Sequence, residues 1–166
     1  YRDARIAPIY EGTNGIQAID LAGRKLAMAD GAAMTAMIAD IEITVREARA
    51  TNDPQLVSIA ERLKAASAGL SEATEWMKRT MREDRDTALA GATAYLALAG
   101  DVIGGHFLAK SAVAARGEDG ATRARMTALA GFYSETLLAS APGAVAGITQ
   151  GGVKVLEESE ALFGIR

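Results

Sequence analysis

The 166-residue chain is 49% apolar and 23% charged, enough to bury a core and stay soluble, and its formal charge of −3 gives no electrostatic reason to bind nucleic acid or an anionic membrane. The absence of cysteine and the single histidine exclude a disulfide scaffold, a thiolate metal site, a cysteine nucleophile and a multi-histidine metal centre. Thirty-six alanines, three prolines and 5% aromatic residues select helices over strands.

In chain order, Tyr1 to Tyr10 contains Pro8 and has no helical period, so it reads as an extended or loop segment. Gly12-Thr13-Asn14-Gly15 is a turn cluster in which Thr13 or Asn14 can cap a helix beginning near Gly15. From there Ile16, Ile19, Leu26, Ala29, Ala33, Met37 and Ile41 predict one long helix to about Ala50. Asp53-Pro54 starts the next, with Asp53 as cap and Pro54 in the first turn. Its stripe, Leu56, Ile59, Leu63, Ala66, Leu70, Ala73 and Met77, alternates steps of three and four, the spacing of antiparallel bundle packing.

The charged run from Arg82 to Asp86 reads as a solvated turn or patch. A third helix is predicted over about 87 to 116, through Leu89, Ala92, Leu96, Ala99, Ile103 and Phe107. Gly117 to Gly120 stops it, and a fourth helix follows over about 121 to 140. Pro142-Gly143 and Gly151-Gly152 divide the remainder into two short pieces, the last helical over 153 to 162. The expected fold is all-α, an up-and-down bundle of four main helices plus short C-terminal helices.

No run of about 18 uninterrupted apolar residues occurs, so no membrane span is expected. The first twenty residues lack the charged start and apolar run of a signal peptide. The chain begins at Tyr1 rather than methionine, which points to processing or to a piece of a longer protein.

Most polar residues fit structural roles. His106 beside Gly104-Gly105 reads as a packed helix residue, the two glycines marking close approach of another helix. Trp76, Met77 and Met81 read as core or interface edge, and Asp84/Asp86 and Glu157-Glu158 lack the surroundings of an acid/base pair. The N-terminal segment differs. Glu11 stands in a loop leading to a helix start, among Gly12, Asn14 and Gly15, which let a ligand approach the main chain. Amides near Thr13 to Gly15 can meet an anion there, although an ordinary cap has the same composition.

Tyr1-Arg2-Asp3-Ala4-Arg5-Ile6 and Ile9-Tyr10-Glu11-Gly12-Thr13-Asn14-Gly15-Ile16-Gln17 closely resemble the catalytic-base segment of acyl-CoA dehydrogenases. The alanine-rich helices that follow are similar in layout to the extra C-terminal helical domain of long bacterial members of the 3-methylmercaptopropionyl-CoA dehydrogenase-like type. The resemblance implies that residues 1–30 end a catalytic core and that residues 31–166 form an appended helical domain.

By the same resemblance, Glu11 is the base that takes the α-proton of an acyl-CoA thioester while the β-hydride passes to N5 of FAD. Its backbone amide shares the thioester carbonyl with a flavin ribityl hydroxyl, and burial raises its carboxyl pKa towards the working range. Gly12 lies against substrate, Thr13, Asn14 and Gly15 contact FAD, and Gln17 belongs to the same helix start. An arginine that many shorter members carry about twelve residues past the base falls at Gly23, with Arg24 one step later. The implied parent is a cytoplasmic homo-oligomer that makes trans-2-enoyl-CoA and passes electrons to an electron-transferring flavoprotein. It has no nucleic-acid partner, and this chain alone is expected to be inactive. The alternative is a non-catalytic helical interaction or oligomerisation module. A small-molecule binding bundle is disfavoured, because no polar cluster lies within a helix stripe.

Overall fold

A computed structural model describes Thr13 to Gly164. Every regular element within that span is helical, as the composition requires. We number the α-helices α1 (Thr13–Asp20), α2 (Ala32–Ala50), α3 (Pro54–Glu83), α4 (Arg85–Ala90), α5 (Ala92–Ala114), α6 (Gly120–Tyr133), α7 (Ala141–Thr149), α8 (Gly151–Glu157) and α9 (Ser159–Phe163). Helix α1 runs into a π-helical turn, Leu21–Lys25, and α6 into another, Ser134–Leu138.

The chain forms two units. One contains α2, α3 up to Glu72, α5 from Leu98, α6 and the start of α7. Its helices close a ring. Arg49 of α2 pairs with Glu61 of α3, Arg62 of α3 with Glu135 beyond α6, and Asp40 of α2 with His106 and Lys110 of α5. The ring closes between α5 and α6 at Gly104 and Gly105. A Cβ on Gly104 would lie 2.6 Å from the Tyr133 hydroxyl, and one on Gly105 would lie 2.6 Å from Leu138 Cδ1. The close helix approach expected at these glycines is therefore present, and its reason is the side chain received at each.

The other unit gathers the described residues up to Ala33, Ala73–Ala97 and those from Ala146 on. Here Thr74 of α3 and Tyr95 of α5 share a buried hydrogen bond of 2.9 Å. Gly91 packs against the Ile148 carbonyl and Trp76, and Gly152 against Ala90 and Thr87. Caps set the boundaries. Asp53 accepts from the Gln55 amide, Asp84 from the Thr87 amide and hydroxyl, and Asp119 from the Ala121 and Thr122 amides. The charged run is thus the turn expected, with Asp84 capping α4. Pro142 does not divide the chain but sits in the first turn of α7, where its missing N–H costs nothing.

The seven stripe residues of α3 are all buried, as its spacing predicts. Three further expectations change, the first being that the helix predicted over 87 to 116 is divided at Gly91 into α4 and α5. The single helix from Gly15 to Ala50 is interrupted, because Ala29 (φ 50°) and Gly31 (φ 84°) are left-handed. A Cβ at Gly31 would meet the Lys78 side chain at 3.0 Å, so the bare glycine also leaves room for that lysine. The buried line of α5 runs through Ala92, Tyr95, Ala99, Val102, His106 and Ala109, while Phe107 is 53% exposed. This helix is apolar on nearly every side, so spacing alone did not select its phase. The stretch Ala92–Gly117 is also long and apolar enough to pass a length-and-composition test for crossing a membrane. It carries Asp101 and Lys110 off its buried line and His106 on it, and that line packs against other helices.

Candidate functional site

Of the residues singled out from the sequence, Glu11 and Gly12 lie outside the described span. Thr13, Asn14 and Gly15 form the first turn of α1, inside the helix and not at its cap as expected. All three are exposed, and a Cβ on Gly15 would meet nothing within 4 Å. The exposed main chain around Asn14 and Gly15, at the start of the helix, can face an anion or a cofactor edge.

Helix α1 turns Ala18 inward and continues the buried line through Ala22 and Leu26. Ile16 (62% exposed) and Ile19 point to solvent instead. Arg24, next to the position where the resemblance looks for an arginine, is committed to its own helix. Its Nε and Nη2 donate to the two Asp20 carboxylate oxygens at 2.6 and 2.8 Å. That fork, joined by Lys25, holds the Asp20 carboxyl below the usual carboxylate range.

Beside the π-turn lies a cleft of about 260 Å³ lined by Ala22, Gly23, Leu26, Ala27, Lys78, Met81 and Arg82. Its floor is aliphatic and its two charged members are both cations on α3, one turn apart. Sequence reading missed it because the two halves of its lining stand some fifty residues apart. The available signal was the Lys78/Arg82 pair at i, i+4.

The remaining candidates are structural. His106 is fully buried and its Nε2 lies 3.1 Å from Asp40 Oδ2. Burial lowers its pKa below 6.5 against the opposing pull of Asp40, so the ring is neutral near pH 7, with Nε2–H donating to the carboxylate. Its Nδ1 is buried without a hydrogen-bond partner. Lys110, hydrogen-bonded to the same Asp40, is the main reason that this carboxyl is held low. Glu157 and Glu158 both pair with Lys154. Among the described residues no group of three or more acidic or histidine side chains could hold a metal.

Residues 32–158 match the family described as acetyl-CoA dehydrogenase C-terminal like. The chain is also 37% identical over 118 residues to the 3-methylmercaptopropionyl-CoA dehydrogenase of Ruegeria pomeroyi. That alignment covers 71% of this chain and 20% of the relative, so the chain corresponds to about a fifth of the length of that protein. No solved structure matches it.

Proposed function

The chain belongs to the acetyl-CoA dehydrogenase C-terminal-like family, and from that premise we propose that it is the C-terminal part of a flavin-dependent acyl-CoA dehydrogenase. In this reading residues 1–30 close the catalytic core and 31–166 are the appended helical domain. The observation that carries it is a juxtaposition. A Tyr10-Glu11-Gly12-Thr13-Asn14-Gly15 segment stands upstream of the family-matched residues 32–158, with only residues 16–31 between them.

The roles follow from the chemistry. Removing the α-proton of a thioester needs a base at the α-carbon and a donor at the carbonyl, where charge develops. Glu11 supplies both, its carboxylate taking the proton and its amide donating to the oxygen. Gly12 leaves room for the acyl group. FAD, when bound, supplies the acceptor for the β-hydride. Thr13, Asn14 and Gly15 would hold its edge, and their exposed helical turn with open space at Gly15 is compatible with that. Electron-transferring flavoprotein as acceptor, a homo-oligomer and a cytoplasmic site complete the proposal. This chain alone holds too little of the pocket to act.

In the full-length protein, Glu11→Gln should retain FAD yet slow substrate-dependent flavin bleaching by roughly 10²–10⁴-fold. Bleaching at the normal rate would remove Glu11 from the role of base. The exposed apolar side chains of α6, Leu129 and Phe132, also favour the reading of an assembly module. A monomer at all concentrations in light scattering would count against that second reading.

A further inference from the structure

We propose that the cleft beside the π-turn binds the phosphate-bearing end of an adenine nucleotide, of the kind carried by both coenzyme A and flavin dinucleotides. The choice of nucleotide rests on the dehydrogenase reading above; the choice of an anion with a flat apolar part rests on the cleft itself. Ala22 and Leu26 are buried in its floor, and Met81 lends a thioether, which packs well on ring edges.

The charge is one-sided. Lys78 and Arg82 line the cleft, and no carboxylate among the described residues does. Arg82 Nε donates to the Lys78 carbonyl at 3.1 Å, which fixes the arm and leaves the two terminal nitrogens without acceptors among the described residues. A guanidinium edge held in this way is suited to two-pronged contact with a phosphate. Lys78 has a loose 3.4 Å contact with exposed Glu75, and its stem lies against Gly31, where the missing side chain makes room for it. The left-handed residues Ala29 and Gly31 interrupt the helix just after the π-turn, and π-turns inside helices recur at functional sites.

Size limits the occupant. Drug-sized ligands fill pockets of roughly 300–1,000 Å³. A cleft of about 260 Å³ therefore takes a nucleotide end and not a whole cofactor. Cations near the end of α3 also complement its dipole. Arg79, exposed and one turn from Glu83, shares that role without lining the cleft, and so serves as the control.

The test is isothermal titration of this chain with adenosine 3′,5′-bisphosphate, with ADP and with inorganic phosphate. A nucleotide should bind with a Kd of about 100 μM. Arg82→Gln should weaken it about tenfold by removing a charge-assisted bond. Gly23→Leu should abolish it, since a side chain there grows into the cleft beside Met81 Cε, 3.6 Å from the position of a Cβ. Arg79→Gln should bind as the parent does, and circular dichroism should show all three variants helical. Tighter binding of the 3′,5′-bisphosphate assigns the site to coenzyme A, and tighter binding of ADP assigns it to a flavin dinucleotide. The proposal is overturned if neither nucleotide binds, if phosphate binds as tightly as they do, or if Arg82→Gln and Gly23→Leu bind normally. Failure of Glu11 as base leaves this result untouched, and loss of nucleotide binding leaves the Glu11 result untouched.

Discussion

Helices α1 and α3 carry apolar residues at similar spacings and meet opposite fates. Every stripe residue of α3 is buried, whereas Ile16 and Ile19 of α1 face solvent and the helix buries its alanine side at Ala18 and Ala22. Spacing reports that a face is apolar; whether the face is covered depends on what the chain supplies to cover it. Helix α3 finds its partners within this chain. Helix α1 has a covered face and a second apolar face that nothing among the described residues occupies.

The sharpest test of the covered side is truncation in α3. Leu63 is fully buried, and Leu63→Ala should cost about 3–5 kcal/mol in urea unfolding through lost transfer energy and a residual cavity. A cost near 0.5 kcal/mol would mean that the stripe is not the core. Next comes backbone packing. A Cβ at Gly91 would stand 2.7 Å from the Ile148 carbonyl oxygen, and backbone cannot swing aside, so Gly91→Ala should cost about 1–3 kcal/mol. Gly100, on the exposed side of α5 with nothing within 4 Å, gives the opposite sign. Gly100→Ala should stabilise by about 0.5–1 kcal/mol, which unfolding midpoints can check.

Polar groups in the covered regions have smaller and more selective effects. Tyr95→Phe removes the buried bond to Thr74 and should cost about 1 kcal/mol. His106 adds a pH signature. Its folded pKa lies below the unfolded value of about 6.5, so the folded state resists protonation. Its contribution is complete above pH 6.5 and is lost progressively as pH falls below that value. The Asp40 carboxyl, shifted down by Lys110, contributes above the ordinary aspartate pKa of about 3.9 and is lost only at lower pH, outside this window. The urea midpoint should therefore fall between pH 7.5 and 5.0, and His106→Met should flatten that slope. An equal slope in both proteins would reassign the effect to other groups.

The same contrast explains what could be read from the sequence. The cap at Asp53 and the stripe of α3 were legible because they depend on neighbours within a few residues. The phase of α5 was not, since a helix apolar on all sides takes its orientation from tertiary contacts, here the seat of His106 against Asp40, 66 residues away. The break at Ala29–Gly31 was hidden too, because an apolar period that continues past it does not report two left-handed residues within the run. Of the candidate site, the Glu11 segment was legible as a motif, and Thr13 to Gly15 as a helix start to within two residues. The cleft was not, because Gly23 and Arg82 meet only in the fold.

The smallest effect discriminates best between the two faces of α1. With Ile16 62% exposed, Ile16→Ser in this chain should change stability by less than about 0.5 kcal/mol, the range of ordinary surface substitutions. If the chain is the end of a larger enzyme whose core covers α1, the same substitution in the full-length protein should cost about 1–3 kcal/mol, because a covered isoleucine would be replaced by an unpaired hydroxyl. Equal and small effects in both proteins would leave α1 uncovered and weaken the proposal that residues 1–30 close a catalytic core. A large effect already in the isolated chain would show that Ile16 is covered within the chain itself, and the contrast between α1 and α3 would disappear.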